Sequence, residues 1–191
     1  MAYEYGAKEP EKLKIKDMTP REKELLIESD TFCMLPWIHI HGYPDGKAYP
    51  CCLADYDHPV GSLKENTMEE VWRDKPMQQM RQNMLENKPC VECTKCYEQE
   101  ESGFFSMRNS SNQMFGHHIK ESLNSNELKI RYYDIRFSNL CNFSCRSCGD
   151  IFSSNWTKEY KEYGWLPKDA PNVTYAGRFK TDIWEQTLPH V

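Results

Sequence analysis

The sequence predicts an α+β fold. A small cysteine-rich hairpin-plus-helix module spans residues 31–125. A polar arm and short helix (1–30) precede it, and a strand-led segment (126–191) follows. Three observations carry this reading. Two short apolar runs after Phe32 are separated by turn residues, two capping-box sequences announce helices, and nine cysteines fall in two groups. Only 34 of the 191 residues are Leu, Ile, Val or Phe, about 18% of the chain. A core that thin calls for metal staples rather than aliphatic packing alone.

Residues 1 to about 18 are polar and show no apolar periodicity, so they read as an arm. Thr19-Pro20-Arg21-Glu22 is a capping box with Pro at the first helical position, opening a short helix towards Glu28. Phe32 to Leu53 reads as a hairpin, with Trp37–Ile40 as one strand and Lys47–Tyr49 as the other. Tyr43-Pro44-Asp45-Gly46 supplies the turn. A second capping box, Thr67-Met68-Glu69-Glu70, starts a helix that Pro76 must break or restart. Asp74 can cap the restarted piece, whose Met77, Met80 and Met84 share one face and fill core. Asn109 to Asn126 is rich in Ser and Asn and reads as a linker containing a solvated His117-His118 pair. Lys129 to Phe137 reads as a strand running straight into the second cysteine group. His39 and His41, at i and i+2 of a strand, share a face and are expected to be partly exposed or hydrogen-bonded.

No apolar run approaches the roughly 18 residues that a membrane span needs. The beginning, MAYEYGAKEPEKLKIKD, lacks an apolar signal core, and the cysteine count is odd. Together these disfavour a secreted disulfide scaffold and predict a cytoplasmic protein with reduced, metal-binding cysteines. The net charge of −5 and pI near 5.7 give no sign of a nucleic-acid surface.

The sharper cysteine group is Cys141-Asn-Phe-Ser-Cys145-Arg-Ser-Cys148, a C-x₃-C-x₂-C loop at the end of a predicted strand. Three thiolates within eight residues can wrap one inorganic centre, and closed structural zinc sites take four ligands. No His lies between His118 and His190 to complete such a site locally. A zinc knuckle closed by a distant residue is the alternative. Ile135-Arg136-Phe137-Ser138-Asn139-Leu140 followed by this loop resembles the first strand and cluster loop of radical S-adenosylmethionine enzymes. Ser147 departs from the pattern, since the family usually has an aromatic residue before the last cysteine. The resemblance implies that Cys141, Cys145 and Cys148 hold three irons of a [4Fe–4S] cluster, leaving the fourth open to S-adenosylmethionine.

The first group sets Cys33 and Cys51 on either side of the hairpin and Cys90-x₂-Cys93-x₂-Cys96 downstream. A turn at Gly46 returns Cys51 towards Cys33, and four thiolates suffice for one closed cluster. The arrangement resembles the auxiliary-cluster modules called twitch or SPASM domains. In those, a paired knuckle closely precedes a run like E-x-x-G-x-x-S-x-R, matched here by Glu100, Gly103, Ser106 and Arg108. The resemblance therefore implies an auxiliary [4Fe–4S] cluster on Cys33, Cys51, Cys93 and Cys96, with Cys90 or Cys52 as spares or substitutes. A Cys₄ zinc ribbon has compatible spacing.

The implied function is reductive cleavage of S-adenosylmethionine, with a 5′-deoxyadenosyl radical removing hydrogen from a peptide, sugar or small-metabolite substrate. The implied partners are S-adenosylmethionine, a one-electron reductant and such a substrate. Trp156 is placed to pack over the cluster loop or in the core. The family's catalytic domain is a partial (β/α) barrel of TIM type, and residues 126–191 have room for about two βα units at roughly 30 residues each. The expectation is an incomplete barrel, from a truncated product or a split enzyme completed by a second chain, with little activity alone. The competing class is a non-catalytic zinc- or iron–sulfur-binding module for interaction or electron transfer.

Overall fold

The computed structural model describes residues 15–125, 127–174 and 185–186. The arm before residue 15 and most of the chain after 174 lie outside them. The first capping box forms as expected. Thr19 Oγ1 accepts from the Glu22 N–H at 3.2 Å, and Glu22 Oε2 accepts from the Thr19 N–H at 2.7 Å. This starts α1 (Pro20–Lys23), which continues as a π-type turn over Glu24–Glu28 that buries Leu25 and Leu26.

The hairpin differs from expectation at its entrance. Leu35–Ile38 is a helical turn, α2, with Pro36 in its first turn and the Trp37 N–H donating to Met34 O at 3.0 Å. Pro tolerates that position because the helix needs no donor there. The strand therefore starts two residues later, as β1 (His39–Gly42), and pairs antiparallel with β2 (Lys47–Tyr49). Gly46 closes the turn at φ 89°, left-handed backbone that a side chain would strain. β3 (Gly61–Ser62) adds to the outer side of β2.

Thr67 caps α3 (Met68–Arg73) through a second complete capping box. Asp74 then ends α3 and caps α4 (Lys75–Leu85), accepting from the Lys75 N–H at 2.7 Å, so Pro76 sits in a first turn. Met77, Met80 and Met84 are all buried against α2 and the sheet in one core, with Phe32, Ile38, Ile40 and Trp72. The unbranched thioethers fill the irregular gap between helix and hairpin.

The stretch expected to be a linker is helical. α5 (Thr94–Glu101) is followed by α6 (Met107–Phe115), a tight 3₁₀ turn at Gly116–His118 and α7 (Ile119–Leu123). Its polar residues are used inward: Ser111 and Asn112 are buried, and His117 and His118 are half-buried rather than solvated. Ser106 caps α6 by accepting from the Asn109 N–H at 3.2 Å. Turn-prone Ser and Asn therefore mislead here, because tertiary hydrogen bonds satisfy them inside helices.

The last strand, β4 (Tyr132–Ile135), pairs parallel with β1, so the sheet order is β3-β2-β1-β4. The segment that opens the third sequence region is thus hydrogen-bonded to the cysteine-rich hairpin. After β4 come the second cysteine loop and α8 (Ser154–Glu162). Among the described residues this is a mixed α+β fold with one four-stranded sheet, and no further strand joins it beyond β4. No described helix is long and apolar enough to cross a membrane.

Candidate metal centre

Four thiols expected at the first site approach one another from three separate pieces of chain. Cys33 lies on the loop before α2, Cys51 in the turn after β2, and Cys93 and Cys96 at the start of α5. Burial pushes the Cys33 thiol well above the ordinary range, and the charges of Cys51 and Cys96 push it further. Cys51 is pushed up to about 12, chiefly by burial and then by Cys96 and Cys52. Burial likewise raises Cys93, with Cys33, Cys51, Cys90 and Cys96 all adding to the effect. These thiols oppose one another's ionisation, and a bound cationic centre would relieve that opposition. Among the described residues, no group of three or more His, Cys, Asp or Glu side chains is arranged to hold a single metal ion.

The spare cysteines have further neighbours of their own. The Cys90 thiol lies 3.7 Å from Met80 O and 3.9 Å from Lys88 O. Its pKa is raised to about 11 by burial and by Glu92. Cys51 and Cys52 follow β2, which stops at Tyr49, in a turn. Cys52 comes under the charges of Asp134 and Arg136, whereas Cys51 comes under those of Cys96 and Cys52.

A polar scaffold from α5 and α6 fixes the Cys33 loop. Arg108 Nη1 donates to Ser29 O at 2.8 Å and to Phe32 O at 3.1 Å. Asn112 donates to Phe32 O at 3.0 Å and accepts from the Met34 N–H at 2.9 Å, so both sides of Cys33 are held. Glu100 accepts from Ser106 Oγ and from Arg108 Nε and Nη2, and Gly103, at φ 80°, makes the left-handed break between the helices. The E-x-x-G-x-x-S-x-R run is thus a brace: a carboxylate, a helix break, a cap and a guanidinium aimed at the cysteine loop. Asn112, which sequence reasoning placed in a linker, completes it. The Tyr97 hydroxyl accepts from the Cys90 N–H at 3.2 Å.

Cys141, Cys145 and Cys148 share one loop, with Cys145 exposed and its neighbours half-buried. The loop is tied to the start of α8. Ser154 Oγ donates to Cys141 O at 3.1 Å and accepts from the Cys141 N–H at 3.3 Å. Ser153 Oγ donates to Phe143 O at 2.7 Å. Trp156 Nε1 donates to Cys145 O at 3.0 Å, so Trp156 does sit against the loop. Asn139, only 3% exposed, anchors the base by exchanging hydrogen bonds with the Thr174 backbone at 2.9 and 3.2 Å. Its only sequence signal was its place two residues before Cys141.

Between the two cysteine regions lies the polar face of β1 and β4. His39 and His41 are both buried, and of the two expected alternatives, exposure or hydrogen bonding, His39 takes the second. His39 Nδ1 is 2.7 Å from Tyr132 O, and His41 Nδ1 is 3.2 Å from Asp134 Oδ2. Tyr43 beside them meets Phe152, from just past the second cysteine loop, at 5.3 Å between ring centroids.

Residues 33–97 match the SPASM family, described as an iron–sulfur cluster-binding domain. No curated protein and no solved structure matches the chain. The matched segment begins at Cys33 and ends just past Cys96, enclosing the four converging thiols, and the match implies iron–sulfur cluster binding there.

Proposed function

We propose that this chain is an iron–sulfur protein of the radical S-adenosylmethionine type. Its auxiliary [4Fe–4S] cluster is held by Cys33, Cys51, Cys93 and Cys96, and a second, S-adenosylmethionine-binding [4Fe–4S] cluster by Cys141, Cys145 and Cys148. The observation that carries the reading is that four cysteines of the matched segment, two buried and two half-buried, lie close enough for their charges to act on one another. Tetrahedral zinc needs sulfurs at about 2.3 Å from a single point. A set of four thiolates also suits a [4Fe–4S] core.

Three thiols on an exposed loop after β4 support the second site, since a cluster that binds a co-substrate needs an open position. Bound there, a reduced cluster would supply the electron that cleaves the sulfonium–carbon bond of S-adenosylmethionine. The protein's own part is to orient and to exclude water. Ser153, Ser154 and Trp156 hold the loop, and Phe152 packs its ring against Tyr43 of the first module. The substrate, an external one-electron reductant and further βα units of a barrel belong to this same reading.

Anaerobic reconstitution of the chain tests it. We expect iron and sulfide in both sites, broad visible absorption, and a spectral change on adding S-adenosylmethionine. The triple variant Cys141→Ala/Cys145→Ala/Cys148→Ala should lose that change and keep the first cluster. Zinc without sulfide in the first site, or a wild-type spectrum indifferent to S-adenosylmethionine, would overturn the corresponding half.

A further inference from the structure

α5 ends in a left-handed cap. Gly103, at φ 80°, donates its N–H to Glu100 O at 2.9 Å, and the Phe104 N–H reaches back to Gln99 O at 2.9 Å. The apolar residue after such a glycine ordinarily folds onto an apolar residue in the last turn of its helix. Here that turn offers Glu98 and Gln99, so Phe104 has no apolar partner on α5. Phe104 is 68% exposed and Phe105 63%. Both ends of the bridge are nonetheless fixed. The cap holds the first, and the buried Ser106 and Arg108 hold the second by capping α6 and pairing with Glu100. Two phenyl rings thus stand in solvent on a loop that has little freedom left to lose on binding.

Negative charge surrounds them. Phe104 walls a cleft of about 400 Å³ with Leu53, Lys95, Glu98, Gln99 and Ser102. On its opposite face α5 lends Glu100 and Glu101 to a cleft of about 480 Å³ shared with Asp30 and Tyr97. Glu100 is taken by Arg108, which leaves Asp30, Glu98 and Glu101 exposed to solvent. Among the described residues Lys95 is the one cation lining either cleft, and its charge acts on Asp55. An apolar pair inside an acidic rim disfavours phosphate-bearing partners and suits apolar groups flanked by cations.

We propose that the break between α5 and α6 is a docking surface for a peptide segment of a partner protein, whose apolar side chains cover Phe104 and Phe105 and whose neighbouring Lys or Arg meet Asp30, Glu98 and Glu101. Leu53 extends the apolar contact into the first cleft. Such a segment removes two large apolar groups from water at small cost in loop entropy. The surface contains no cysteine and is independent of what either cysteine group binds.

A short synthetic peptide of Leu and Lys is the probe, with a Leu and Glu counterpart of the same order as control, and calorimetry on the full chain is the readout. The Leu–Lys peptide should bind and the Leu–Glu peptide should not. Phe104→Ser/Phe105→Ser leaves the charge unchanged and, since both rings are exposed, the fold intact. It should weaken binding by roughly tenfold or more. Glu98→Gln/Glu101→Gln should weaken it by about threefold at low salt, a difference that vanishes at high salt. In chains labelled with fluorophenylalanine, the two fluorine resonances missing from the double-serine variant should move when the Leu–Lys peptide is added. No binding by that peptide, equal binding by the double-serine variant, or equal binding of both peptides would overturn the proposal. So would self-association of the chain that the double-serine variant loses, since the occupant would then be a second copy.

Discussion

Arg108 and Glu100 form a buried ion pair across the break between α5 and α6, with side-chain exposures of 6% and 19%. The guanidinium also donates to the carbonyls of Ser29 and Phe32, so the pair joins the knuckle helix to the Cys33 loop. Glu100 holds the Arg108 pKa above its ordinary value despite the opposing effect of burial, which is the largest single influence. Removing one partner of such a pair strands the other charge and typically costs about 3–5 kcal/mol. Arg108→Met should therefore lower the unfolding free energy by about that much in urea titrations. It should also deplete iron at the first site more than at the second. Arg108→Lys should rescue little, since an ammonium cannot reproduce the planar fork.

The first two cysteines of the knuckle, Cys90 and Cys93, should separate cleanly. Cys90 turns its thiol to the Met80 carbonyl, whereas Cys93 comes under the charges of Cys33, Cys51 and Cys96 as well as that of Cys90. Cys90→Ala should keep the iron and sulfide of the first site and cost about 1–2 kcal/mol of stability. Cys93→Ala should lose that cluster. Equal iron loss in both variants would place Cys90 among the ligands.

Asn139 offers a test confined to the second loop. Asn139→Ala removes the acceptor for the Thr174 N–H and the donor near Asp150 O, leaving buried groups unpaired at about 1–3 kcal/mol each. The expected result is lower iron at the Cys141–Cys148 loop, read by the S-adenosylmethionine-dependent spectral change, with the first cluster intact.

Stability should fall in mildly acidic solution. Burial lowers His39 from 6.5 to about 4, more than the Tyr132 carbonyl raises it, and burial also lowers His41. The folded protein therefore resists protons that the unfolded chain accepts. Stability is fully present above pH 6.5 and is lost as pH falls towards 4, by up to about 3 kcal/mol for His39. Unfolding free energies of His39→Phe, measured between pH 4 and 7.5, should show a flatter profile than the wild type.

Local rules written in short motifs survived the passage from sequence to fold. Both capping boxes, the Gly46 turn, the Asp74 restart and the methionine face of α4 are set by neighbours a few residues apart. Readings that depended on distant partners did not survive. Asn112 belongs to a helix because Phe32 and Met34, about eighty residues upstream, satisfy its amide. His39 and His41 are buried because β4 covers the edge of β1, which no local pattern announces. Cysteine spacing and the resemblance together named candidate thiols, but not that Arg108 and Asn112 would hold the Cys33 loop.

The parallel pairing of β1 with β4 sets an order of events during synthesis. His39 meets Tyr132 across 93 residues, so β1 leaves the ribosome long before its partner strand. Through that interval the hairpin and the knuckle, which end by Cys96, can assemble around their own centre while one sheet edge stays unpaired. Loops of this length close slowly, and unpaired edges invite association between chains. The first metal centre would then act as an early anchor on which the later strand docks. Iron starvation during expression should leave nascent chains aggregating through that edge rather than merely lacking colour.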